Sequence, residues 1–97
     1  MIEIPKAFKE FCAWYDLEYR DELSDGQDLI AFVLDNIGVD GRSVVKSFLS
    51  TLLSGEFSND ALQDLWRRAG ARVLFTSETD LRPFFEHIVD RISAGRF

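Results

Sequence analysis

A length of 97 residues, 46% hydrophobic and 13% aromatic with nine Phe, leaves room for one domain and excludes a disordered or low-complexity chain. The longest unbroken apolar run, Leu29 to Leu34, is too short to cross a bilayer, and a lone Cys12 excludes an internal disulfide or a four-ligand zinc site. A formal net charge of −6 and a pI near 4.6 argue against nucleic acid as a direct ligand, because phosphate binding needs a basic footprint.

The apolar spacing is helical nearly throughout. Ile4, Phe8, Phe11, Cys12, Tyr15 and Tyr19 mark one face of a first helix, with Pro5 suited to its first turn. Ser24 and Gln27 have the spacing of a capping box for a second helix, whose inward residues are Leu29, Ile30, Val33, Leu34 and Ile37, and Gly38 is its left-handed cap. Asp40 is placed to cap a third, short helix carrying Val44, Val45, Phe48, Leu49, Leu52 and Leu53, ended by Gly55. Ser58 caps a fourth, with Phe57 as its hydrophobic staple; Leu62, Leu65, Trp66 and Ala69 line it, and Arg67, Arg68 and Gly70 close it. The stretch 71–75 is a packed connection, since a lone strand has no partner to pair with. Leu81, Phe84, Phe85, Ile88 and Ile92 define a last helix, with Asp80 as its expected cap and Pro83 in its first turn. The expected architecture is all-α: one compact bundle of about five short helices spanning residues 1–97.

Charge is unevenly distributed along the chain. Residues 1–40 hold ten Asp or Glu against three Lys or Arg, whereas residues 41–97 hold seven against eight. Between Asp16 and Asp28 lie Asp16, Glu18, Asp21, Glu22, Asp25 and Asp28, opposed only by Arg20. Asp25 and Asp28 suit the first turn of the second helix, where the macrodipole favours negative charge. Asp16 and Glu18 fall at the expected end of the first helix, where the dipole disfavours them, and Asp21 and Glu22 add like-charge crowding. A local rule broken without compensation is where function is expected. Trp14 and Tyr19 lie among these acids and are residue types enriched at protein interfaces; Tyr15 and Trp66 are expected in the core. Trp14, Asp16, Glu18, Tyr19, Asp21, Glu22, Asp25 and Asp28 are therefore the candidate partner-binding residues, and a basic protein surface is their natural complement. Arg67, Arg68 and Arg72 form a second candidate surface.

No catalytic, cofactor-binding or metal-binding residue is assigned. Cys12 and His87 form a conceivable nucleophile pair, but Cys12 fits a core position and His87 a surface one. Aligning Gly26 with the sixth position of a calcium loop puts Phe32 where a carboxylate is required. No phosphate loop, HExxH or CxxC occurs.

Residues 45–92 resemble the small α-helical immunity proteins of bacterial contact-dependent growth inhibition systems. The residues that carry the likeness are Phe48-Leu49-x-x-Leu52-Leu53-Ser54-Gly55-Glu56-Phe57-Ser58, Leu62-x-x-Leu65-Trp66, and Leu81-Arg82-x-Phe84-Phe85-x-x-Ile88-x-x-Arg91-Ile92. About half the chain is covered, mostly core and capping residues, so the likeness bears on fold more than on partner. The resemblance implies a non-enzymatic cytoplasmic protein that binds the toxin domain delivered by a neighbouring cell, often a nuclease with a basic cleft, and blocks it by occlusion. No secretory signal opens the chain, in keeping with a cytoplasmic address. The immunity reading expects a monomer or weak dimer; the competing expectation is a small helical adaptor or regulatory module that binds a peptide helix or a copy of itself, which a tight homodimer would favour.

Overall fold

Pro5, held extended at φ −62° and ψ 148°, cannot sit inside a helix and stands just ahead of the first one, α1 (Lys6–Trp14). In the computed structural model, which describes residues 3–23, 28–73, 75–76 and 78–95 apart from the side chains of Leu17, Arg20 and Glu22, α1 is shorter than its apolar spacing predicts. The helix does not continue to Tyr19. The Asp16 carboxylate accepts the Glu18 N–H at 3.0 Å, offering the backbone an alternative to the helical ladder, and the chain tightens into a 3-10 helix, Leu17–Glu22.

The second and third expected helices follow each other without a loop and are described together as α2 (Leu29–Ser54), two helical segments joined by a kink at Gly38. Gly38 takes φ 75° and ψ 174°, a conformation open essentially to glycine alone, so the helical segment ends at Gly38 as expected, with an extended ψ in place of the left-handed helical cap. Helical conformation resumes immediately after it, however, and Asp40 lies within the helix rather than capping a new one. The Arg42 guanidinium donates to the Leu34 carbonyl at 2.8 Å, satisfying an acceptor next to the kink. At the start of α2 the cap is Asp28, whose carboxylate accepts the Ala31 N–H; the expected Ser24 and Gln27 box lies outside the described residues.

Ser58 caps α3 (Asn59–Arg68) as expected, accepting the Ala61 N–H at 3.2 Å, and Gly70 follows the helix at φ 90°. The last helix, α4 (Arg82–Ala94), has Pro83 in its first turn, but its N-cap is Leu81 rather than Asp80. Leu81 has no side-chain acceptor for the first turn, where the Asp80 carboxylate accepts the Arg82 N–H at 3.0 Å; the N–H of Leu81 itself is accepted by Asn59 Oδ1 of α3 at 2.9 Å. Gln63 and Asn59 amides also donate to the carbonyls of Thr76 and Thr79, fastening the connection between α3 and α4. Among the described residues there are thus four α-helices and no strand, in place of the five helices expected. The chain is nevertheless all-α and folded tightly: its radius of gyration is 12.8 Å, against about 12.5 Å expected for this length.

α1 and α4 both pack on α2. Trp66, 2% exposed, is the hub, with the rings of Phe8, Phe11, Tyr15, Phe75, Phe84 and Phe85 at centroid distances of 5.5–6.4 Å. Its indole N–H is satisfied by the Val73 carbonyl at 2.7 Å, which ties down the 71–75 connection. Truncating such a residue to Ala removes roughly 3–5 kcal/mol. No helix among the described residues is long and apolar enough to cross a membrane.

Candidate functional site

The acidic end of the molecule is built where the end of α1, the 3-10 helix and the first turns of α2 meet. Ending α1 at Trp14 turns Tyr19 back toward it, and α2 brings up Phe32. Trp14 and Tyr19 have ring centroids 5.3 Å apart, Tyr19 stacks on Phe32 at 5.5 Å, and Trp14 meets Phe32 edge-on at 5.9 Å. All three rings are half-buried. Phe32 belongs to this platform although it is absent from the sequence candidates; its signal was its position off the Leu29–Ile30–Val33–Leu34 stripe. Tyr15 instead turns into the core, stacked on Phe11 at 6.0 Å, as expected.

The carboxylates around the platform divide into two groups. Asp16 is only 14% exposed and faces Arg72 at 3.6 Å while holding the Glu18 N–H. Asp28 caps α2 and pairs with the Arg91 guanidinium. Partial desolvation acts to raise the Asp28 pKa, but hydrogen bonds from Arg91 and from the Ala31 N–H, with the positive charge of Arg91 and the influence of His87, outweigh it and leave the carboxyl below its ordinary value. These two acids are part of the scaffold. Glu18 and Asp21 are exposed, and no described cation pairs with either. The side chain of Glu22 and all of Asp25 lie outside the described residues.

This division corrects the electrostatic reasoning from sequence. Asp16 and Glu18 are not in the last turn of α1, and Glu18 lies in the first turn of the 3-10 helix, where negative charge is favoured. The dipole conflict disappears. What marks the surface is a pair of exposed acids, without a cationic partner among the described residues, on the 3-10 helix that carries half-buried Tyr19.

The basic residues of the second half are also partly committed. Arg68 pairs with Asp64 at 3.1 Å and Arg72 with Asp16, while Arg67 is exposed near the end of α3. Cys12 is fully buried and desolvation pushes its thiol up to about 12, the reverse of what an activated thiolate needs; His87 is exposed on α4. Among the described residues no cluster of three or more His, Cys, Asp or Glu has the geometry to hold a metal ion. An open groove of about 310 Å³ between the start of α1 and the later turns of α2 is lined by Pro5, Ser43, Val44, Ser47, Phe48 and Thr51, none of them an acid or base. Compared with protein-family models, with curated proteins and with solved structures, the chain matches none.

Proposed function

We propose that this chain is an immunity protein that binds a toxin domain of the contact-dependent growth inhibition type in the cytoplasm and neutralises it by occlusion. The observation that carries the proposal is the exposed pair Glu18 and Asp21, without a described cationic partner, on the same 3-10 helix as Tyr19, whose ring joins Trp14 and Phe32. The likeness of residues 45–92 to such immunity proteins supports the same reading. Its chemistry is recognition alone. The rings offer rigid apolar area whose desolvation drives association, and the acids orient a Lys or Arg surface against it. Opposite fields accelerate encounter by roughly 10–10³-fold, which suits an inhibitor that must meet its toxin first. Asp16 and Asp28 contribute indirectly, by fixing the turn and the helix that present the platform. Glu22 and Asp25 extend the acidic face in sequence.

The test is protection of growth. Cells expressing the cognate toxin domain survive when the wild-type chain is co-expressed and lose that protection with Glu18→Gln/Asp21→Asn/Tyr19→Ala, provided that variant keeps its helical circular dichroism. Full protection by the folded triple variant would contradict the assignment of this face.

A further inference from the structure

The kink in α2 leaves a register that it does not require. Ile30, Leu34, Ile37, Gly41, Val45, Phe48 and Leu52 follow one another at intervals of 4, 3, 4, 4, 3 and 4 residues, straight through Gly38. That is the seam of one uninterrupted amphipathic helix. A break at Gly38 would permit any rotational offset between the two halves, yet the apolar phase is kept. Gly38 is the only residue in the 26 of α2 with non-helical dihedrals, so straightening the helix asks one residue to change basin. A Cβ at Gly41 would come within 3.1 Å of the Ile37 Cβ, far closer than the ~5–6 Å between such positions on a regular helix, so the chain turns sharply between the two halves of α2.

At 1.5 Å per residue a straight α2 would set its two ends about 38 Å apart. Val33, Leu34 and Ile37 from one half and Val45, Phe48, Leu49 and Leu52 from the other share one core, so straightening pulls one group away from it. The same segment of another copy carries the side chains that would refill that space.

We propose that Gly38 is a hinge through which two copies of this chain exchange halves. In the exchanged dimer α2 is straight, and residues 3–37 of each copy complete the core formed by residues 39–95 of the other. The exchange is closed and two-fold, as swapped dimers are. The Arg42 bond to the Leu34 carbonyl favours the kinked monomer.

The experiment is Gly38→Ala, which disfavours the positive φ but fits a helix. That substitution shifts the equilibrium toward dimer by roughly tenfold or more. Light scattering reads the mass, and spin labels at Asp35→Cys and Ser50→Cys, diluted with unlabelled protein, read the helix. Expected are a dimer and an intrachain separation near 22 Å, the length of 15 straight helical residues. A folded monomer with the wild-type separation overturns the proposal. If the variant fails to fold, wild-type protein refolded at millimolar concentration decides: a slowly dissociating dimer with the longer separation upholds the hinge, and monomer alone refutes it.

Discussion

Asp28 tests how much of the acidic segment is scaffold. One carboxylate oxygen accepts the Ala31 N–H at 2.8 Å and the other pairs with Arg91, so a single side chain does two separable things. Asn caps a helix about as well as Asp, so Asp28→Asn removes only the ion pair, worth roughly 0–1 kcal/mol for a carboxylate this exposed. Asp28→Ala removes the cap as well, a further 0.5–2 kcal/mol or so. At about 4–8 °C per kcal/mol for a domain of this size, the two variants should be resolved in thermal melts followed by circular dichroism. The pH dependence has a definite sign. Because the folded carboxyl lies below its ordinary value, its charge-dependent stabilisation is complete above the ordinary carboxylate range and is lost as pH falls through the lowered value. The gap between wild type and Asp28→Asn therefore closes in acid, while the deficit of Asp28→Ala narrows but persists. Equal melting of both variants at neutral pH, or a wild-type advantage over Asn that survives strong acid, would refute this division of labour.

Three further outcomes follow from the packing. Asn59→Ala strands the Leu81 N–H and loses the bond to the Thr79 carbonyl, destabilising by about 1–3 kcal/mol, and Asn59→Asp recovers only part of this, because it keeps the Leu81 acceptor but sets a carboxylate oxygen against the Thr79 carbonyl; urea unfolding midpoints rank wild type above Asp and Asp above Ala. A Cβ at Gly55 would lie 2.6 Å from the Phe57 ring, so Gly55→Ala costs about 1–3 kcal/mol, part of which Phe57→Ala restores. Cys12, buried with its thiol raised, reacts slowly with iodoacetamide in the native protein and quickly once unfolded; rapid native alkylation at mildly alkaline pH would place the thiol at the surface.

What could be read in advance was what local rules decide. Ser58 and Gly70 bracket α3 because cap chemistry acts within three or four residues, and Trp66 is core because it continues a helical stripe. Gly38 was legible as a break, but whether a loop or more helix follows depends on packing on both sides of it. The end of α1 was misplaced because a period of 3.6 residues continues through Asp16, while the turn there is set by a competing side-chain hydrogen bond. Asn59 and Leu81 are 22 residues apart, and Asp28 and Arg91 63 apart, so no local pattern announces either partnership. That is also why the acidic segment looked uniform in sequence: the arginines that pair with Asp16 and Asp28 arrive from far along the chain, Arg72 from the connection after α3 and Arg91 from α4.

The account rests on Glu18 and Asp21 meeting a basic protein, and calorimetric titration of the cognate toxin domain at low and high salt measures that directly. The account predicts tight binding that weakens with salt, and in Glu18→Gln/Asp21→Asn a loss of ~2–5 kcal/mol per buried pair together with a shallower salt dependence. Unchanged affinity and unchanged salt dependence in the double variant would contradict it.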